Sequence, residues 1–301
     1  MPRVLHIDTG REMRGGQWQA LYLMRGLARR GYAQALMARL DSPLISMAVE
    51  AGIETIPLSL RAVARISASF DLVHAHDARA HILAAVVSQQ RFVVSRRVAF
   101  PIQRGPASWL KYRRAARFLA VSEYVKRQLT KAGVPDAKIS VVYDGVEEPE
   151  KPEQTGGELI MALQSEDPGK LNRRIAEAGA AAGVAVYFSP NLAADLSRAR
   201  LFIYLSESEG LGSAALLAMA HGVPVIASRT GGLCEAVKDG VTGFLVQNDV
   251  QGVAAAIRRV LDNPALLEQF RENARHRFKE RFTLDQMIDG TVAAYREAIE
   301  C

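Results

Sequence analysis

Short apolar, β-branched runs alternate with stretches of helical period along almost the whole chain. Residues 4–8 read as a strand, followed by Arg14-Gly15-Gly16 and an amphipathic helix over about residues 17–30. Further strands are predicted at 34–40, 72–76, 92–95, 118–121 and 139–143, with helical patterns at 78–89, 107–116 and 123–132 between the later ones. Runs this apolar, interleaved with helices, are expected of parallel strands buried on both faces. Residues 145–157 lack apolar periodicity and predict a linker. A second series then predicts strands at 159–163, 184–188, 201–205, 223–227 and 243–246. Three helices at 249–262, 264–280 and 284–299 close the chain. The expectation is an α/β protein of two Rossmann-like, doubly wound domains, residues 1–147 and 148–301, facing across a cleft. Such sheets bind ligands outside the carboxyl ends of their strands.

Composition narrows the class. With 49% apolar and 23% charged residues in 301, the chain has the makeup of a globular protein and not of a disordered or collagen-like one. Two cysteines, Cys234 and Cys301, form no disulfide framework, which points to a reducing cytoplasm. The opening Met1-Pro2-Arg3-Val4-Leu5-His6-Ile7-Asp8 is too polar for a signal peptide. The uncharged run 210–228 contains Gly212, His221, Gly222 and Pro224, so it reads as helix, turn and strand and not as a membrane span.

Charge is unevenly spread. Residues 1–147 carry 22 Lys and Arg against 11 Asp and Glu, whereas the remainder carries 16 against 21. Residues 78–122 contain no acid but hold Arg79, Arg91, Arg96, Arg97, Arg104, Lys111, Arg113, Arg114 and Arg117 among Phe92, Phe100, Trp109, Tyr112 and Phe118. This face suits a phosphorylated acceptor or an anionic membrane surface; the plainer reading is a solvated arginine-rich face. No zinc-finger or helix-turn-helix signature supports nucleic acid. Arg96 and Arg97 stand at the carboxyl end of a predicted strand, as acceptor-phosphate ligands or as solvated ends.

The most informative string runs from Ser206 to Ala227: SESEGLGSAALLAMAHGVPVIA. A strand ends at Leu205, a glycine loop follows, and a helix begins near Ser213. Glycines let backbone amides approach a ligand, and a helix N-terminus favours an anion such as a diphosphate. Glu209, beside those amides, is placed to accept hydrogen bonds from sugar hydroxyls.

This string resembles the donor-site motif of family 4 glycosyltransferases, retaining enzymes of the GT-B fold. Further matches follow in order: Arg14-Gly15-Gly16; Asp71-Leu72-Val73-His74-Ala75-His76; Val121-Ser122-Glu123; Gly133-Val134-Pro135; Lys138 to Val146; Gly231 to Glu235; and Asp239 to Val246. The resemblance implies a nucleotide-sugar donor held mainly by the C-terminal domain and a sugar or lipid-linked acceptor held by the N-terminal one. It also implies a last helix that packs back on the N-terminal domain. His76 would approach the sugar and Glu209 its hydroxyls. Gly210, Leu211, Gly212 and Ser213 would bind the diphosphate, with Gly15 and Gly16 opposite. The family needs no essential metal or cofactor, and no metal-ligand spacing stands out here. Cell-envelope polysaccharide synthesis at the cytoplasmic face of a membrane fits these expectations. His74 reads as a structural histidine, and spacing gives Asp77 and His81 no role.

Two departures stand against that pattern. Eight positions after Glu209, where the family places a ribose-binding Glu, this chain has Leu217. The Gly-Arg-Leu turn and Lys-Gly pair that open the family's C-terminal domain are missing, and residues 146–205 are about one βα unit short. The nearest basic residues are Lys170, Arg173 and Arg174, with Arg229 further on; Lys170 is the predicted substitute in the donor site. Two readings follow: a diverged active glycosyltransferase, or a non-catalytic relative acting as a scaffold or as a glycan- or lipid-binding protein. A sugar-nucleotide epimerase of the same fold is disfavoured by the family-specific strings.

Overall fold

The computed structural model describes residues 1–100, 102, 105–149 and 157–300. Most of the predicted linker, Arg104 and Cys301 lie outside the described residues. The chain divides into two compact units: Met1–Asp144 together with the segment from Leu284 onward, and Gly145–Thr283.

The first unit runs β1 (Val4–Ile7), α1 (Gly15–Arg29), β2 (Gln34–Ala38), α2 (Pro43–Glu50), β3 (Glu54–Pro57), α3 (Leu60–Ile66) and β4 (Leu72–Ala75). It continues with α4 (Ala78–Val87), β5 (Phe92–Arg96), α5 (Pro106–Arg114), β6 (Arg117–Ala120), α6 (Glu123–Lys131) and β7 (Ile139–Val141). All seven strands are parallel, in the order β3-β2-β1-β4-β5-β6-β7. Side chains cap several helices, with Ser59, Asp77 and Ser122 accepting from first-turn amides.

The second unit runs β8 (Leu159–Leu163), α7 (Asn172–Ala182), β9 (Val186–Ser189), α8 (Leu192–Asp195), β10 (Ala199–Tyr204), α9 (Ser213–Ala220), β11 (Val225–Ser228), α10 (Leu233–Ala236) and β12 (Gly243–Val246). It ends in α11 (Val250–Leu261) and α12 (Pro264–Arg281). Its parallel sheet has the order β12-β11-β10-β8-β9. Ile160, Leu201, Ile203 and Ile226 pack against Ile175, Val253, Ile257 and Phe270 to form its core.

The closing helix α13 (Leu284–Glu300) belongs to the first unit. Its Met287, Ile288, Val292, Tyr295 and Ala298 pack on Leu23 and Leu27 of α1 and on Val4, Leu72, Val93 and Leu119 of the sheet. An amphipathic helix covers the apolar sheet face there.

Strand order fixes where a ligand can sit. Each sheet has one place where neighbouring strands send their connections in opposite directions. In the first unit it lies between β1 and β4, in the second between β8 and β10. The loops diverge there and leave a crevice beyond the strand ends.

Candidate functional site

In the second unit the crevice receives the end of β8 on one side and the end of β10 on the other. A short 3-10 turn over Pro168–Lys170 follows β8 and brings Lys170 against Glu209, 39 residues further along the chain. Lys170 Nζ pairs with Glu209 Oε2 and lies 2.6 Å from the Tyr204 hydroxyl, which donates to the same Oε2 at 2.9 Å. Burial first, and then the Glu209 charge, push the Tyr204 hydroxyl well above the usual phenol range, so it stays protonated and keeps donating. Both Lys170 and Glu209 side chains are 18% exposed. Oε1 of Glu209 has no partner among the described residues, so one carboxylate oxygen is anchored and the other is available. Nζ carries three N–H donors, and the two contacts above leave one for a ligand.

The glycine loop arches over this carboxylate. Gly212, at φ +99°, precedes α9, and a Cβ there would meet Leu233 Cδ2 at 2.6 Å. A Cβ on Gly232 would fall 1.9 Å from the carbonyl oxygen of Gly210, so only glycine lets the 231–233 loop press on this arch. Gly210, Leu211 and Gly212 are buried, while Ser213 and Ala214 in the first turn of α9 are half-buried. First-turn amides lack intrahelical acceptors, so Ser213 and Ala214 present the accessible N–H groups. Leu217, one turn beyond Ser213 and half-buried, shares their face of the helix.

The other basic candidates lie elsewhere. Arg173 pairs with Glu177 at 2.9 Å, Arg174 donates to the Asn248 carbonyl at 2.7 Å, and Arg229 pairs with Asp239. Of the four, Lys170 alone reaches Glu209.

In the first unit, β1 and β4 carry three histidines to their switch point. His6 Nδ1 lies 2.9 Å from His76 Nε2, and His74 lies between Tyr295 OH at 2.6 Å and Ser95 Oγ at 2.8 Å. Burial holds His74 and His76 well below the usual imidazole range and His6 down to about 3, so all three rings are neutral. His74 has both nitrogens engaged, as a structural histidine would. His76 Nδ1 and His6 Nε2 are buried without a partner among the described residues. The three rings bring ligand-type nitrogens within 4.8 Å of one another, a grouping invisible in the sequence. The His74 and His76 centroids are 4.0 Å apart with the rings tilted by 34° to each other.

Asp8 and Gln17, which carried no role in the sequence reading, shape the loop between β1 and α1. Gln17 Nε2 donates to both Asp8 oxygens at 3.2 and 3.1 Å, and Gln17 Oε1 accepts from Arg14 N at 3.3 Å. Gly15 is exposed, and a Cβ on Gly16 would meet nothing within 4 Å, so the N-terminus of α1 is open. Burial, and then the Asp77 charge, raise the Asp8 pKa. Its signal was a polar residue directly after a buried parallel strand. Asp77 accepts from Thr9 N at 2.6 Å and Thr9 Oγ1 at 2.9 Å while capping α4. His81 is a core histidine against Tyr112, Phe118 and Phe92.

The structure separates the two arginines that the sequence offered together. Arg97 pairs with Asp144 at 3.0 Å, both largely buried, so its charge is already met. Among the described residues Arg96 has no carboxylate partner; its Nη2 donates to the Phe100 carbonyl at 2.8 Å and its Nε is buried without a partner. No helix among the described residues is long and apolar enough to cross a membrane.

Two doubly wound units, each with polar residues gathered at its switch point, define a ligand-binding α/β protein. Comparison with known proteins gives the family. Residues 13–148 match the model described as Glycosyltransferase Family 4, and residues 147–277 match Glycosyl transferases group 1. A D-inositol 3-phosphate glycosyltransferase of Acidothermus cellulolyticus is 37% identical over 142 residues, 45% of this chain and 31% of that protein. An MMP alpha-(1->4)-mannosyltransferase of Mycolicibacterium hassiacum is 35% identical over 150 residues, 47% of this chain and 36% of that protein. The matched stretch is thus only about a third of either relative's length. Among solved structures, Anabaena HepE in complex with UDP-glucose superposes with a TM-score of 0.84 at 16% identity, covering 98% of this chain and 100% of that one. A glycosyltransferase from Rickettsia africae gives 0.83 at 17%, covering 99% and 98%. The chain thus carries a Glycosyltransferase Family 4 domain followed by a Glycosyl transferases group 1 domain, and it has the GT-B fold.

Proposed function

We propose that this protein transfers a sugar from a nucleotide-sugar donor to an anionic or lipid-linked acceptor, with retention of configuration. The carrying observation is Glu209, anchored through one oxygen by Lys170 and Tyr204 with the other left to accept from sugar hydroxyls. In this reading the first-turn amides of α9 and the remaining N–H of Lys170 take the diphosphate. His76 borders the acceptor. Chemistry needs little more than placement and charge stabilisation. The bond from the anomeric carbon to the phosphate oxygen breaks, and its electron pair leaves with the diphosphate. The acceptor oxygen bonds the same carbon on the same face, and its proton passes to the departing phosphate. HepE is described with UDP and with UDP-glucose, which supports a uridine nucleotide as the first donor to test.

Calorimetry with UDP and UDP-glucose, coupled to detection of released UDP, tests the reading. A hydrogen bond to a charged group contributes roughly 1.5–3 kcal/mol. Glu209→Gln should therefore lower donor turnover on the order of 10- to 100-fold. Binding without any turnover would favour the non-catalytic relative, which Leu217 at the ribose position also favours. No binding of any nucleotide sugar would refute both the donor site and the activity.

A further inference from the structure

We propose that α3, α4 and α5 form a docking surface for an anionic phospholipid membrane. The surface goes beyond the transfer reading and does not rest on it. The three helices lie side by side in the first unit, and each turns an exposed stripe to solvent. On α3, Leu60, Arg61 and Arg65 are exposed while Val63 is buried. On α4, Arg79, Ile82 and Val86 are exposed opposite the buried Ala80 and Ala84. On α5, Leu110, Arg113 and Arg114 are exposed at helical spacing. His81 Nε2 donates to the Lys111 carbonyl at 3.2 Å and Arg114 Nη2 to the Ser88 carbonyl at 3.3 Å, which fixes α5 against α4.

These helices carry six Lys or Arg (Arg61, Arg65, Arg79, Lys111, Arg113 and Arg114) and no Asp or Glu. Arg61, Arg65 and Arg79 have no carboxylate partner among the described residues. A face kept for solvation alone would be polar between its charges. Here Val86 is 67% exposed, Leu60 58%, Leu110 56% and Ile82 48%. Exposed aliphatic side chains among arginines match a phospholipid surface: the aliphatic groups enter the acyl boundary while the guanidinium groups stay with the headgroup phosphates. Nucleic acid would meet the charges but leave those four side chains without an apolar partner. The structure also redraws the acid-free stretch read from the sequence. Phe92 and Phe118 are buried, Arg97 pairs with Asp144 and Arg117 with Glu297, so none of them belongs to the surface, whereas α3 joins it from outside residues 78–122. α4 starts two residues after His76, so the surface begins beside that strand end, which suits an acceptor that stays in the bilayer.

The test is co-sedimentation of the full chain with phosphatidylcholine vesicles, with and without phosphatidylserine. The native protein should bind the anionic vesicles and not the neutral ones. Raising the salt from about 0.1 to about 1 M shortens the Debye length from about 10 to about 3 Å and should weaken binding at least about tenfold. Each basic side chain at an anionic surface is worth about fivefold in partition, so Arg61→Gln with Arg79→Gln should weaken binding about twentyfold. Ile82→Ser with Val86→Ser should weaken it about tenfold by removing apolar burial. Lys126→Gln with Lys279→Gln removes the same charge at residues paired with Asp136 and Glu148, and should weaken it less than about threefold. Glutamine at exposed arginines leaves the fold intact, so the arginine pair carries the test even where the serine pair lowers the urea midpoint. Equal binding to neutral and anionic vesicles, no binding by the native protein, or an arginine or serine pair that binds like the lysine control overturns the surface. Duplex DNA bound as tightly as the vesicles, and weakened by the arginine pair but not by the serine pair, would assign the face to nucleic acid and overturn it as well. UDP-glucose binding should be equal in all variants, so the donor reading stands or falls on that separate measurement.

Discussion

Lowering the pH should unfold the first unit well before its carboxylates are neutralised. His6, His74, His76 and His81 are all at most 5% exposed, and burial lowers each pKa, for His6 and His81 to about 3. In the unfolded chain the same imidazoles titrate near about 6.5. The folded pKa values are depressed, so the stabilisation from keeping these rings neutral is fully present above about pH 6.5. It is lost as the pH falls below that value, because the unfolded chain binds protons that the folded one refuses. Between about pH 7 and pH 5 each histidine contributes a loss of about 2 kcal/mol, or about 8 kcal/mol for the four. Asp8 acts in the opposite sense, since its raised pKa favours the folded chain as the pH drops. Domain stabilities run about 5–15 kcal/mol, so most of the margin should disappear. Both tryptophans, Trp18 and Trp109, belong to this unit, so urea unfolding followed by tryptophan fluorescence reports it directly. His81→Gln should remove about a quarter of the pH dependence. A loss under about 2 kcal/mol over that range would show that the rings are solvated or charged when folded.

Two further outcomes are expected. Asp144→Asn leaves the Arg97 guanidinium buried beside a neutral amide; with both side chains under 15% exposed, it should cost about 3 kcal/mol, read by urea denaturation, while UDP-glucose binding is unchanged. Leu217→Glu, on the α9 face shared with Ser213, should tighten UDP binding about tenfold by supplying a ribose acceptor; no gain by calorimetry would mean that the ribose does not lie along that helix.

Much of the architecture was legible because buried parallel strands read as unbroken apolar runs. The strands beginning at Val4, Phe92 and Leu159 announced themselves in this way. One exception is the stretch holding α2, β3 and α3, where no element was predicted. β3 is a half-exposed edge strand of four residues without an apolar run. The run from Leu205 to Ser213 was equally plain, since strand end, glycine loop and helix start are contiguous. Asp8 and Gln17 passed unremarked because their significance lies in meeting each other across the loop.

By itself, then, the sequence determined the buried strands and the closing helices, and that a carboxylate and free amides follow β10, because those features are set by neighbours along the chain. Only the tertiary structure decided who meets whom across it. Strand order sets β8 beside β10 and so delivers Lys170 to Glu209; β1 beside β4 brings His6 to His76; and the placement of Asp144 gives Arg97, and not Arg96, a carboxylate partner among the described residues. Side-chain charge is local information, but its neutralisation depends on distance in space, which packing alone supplies.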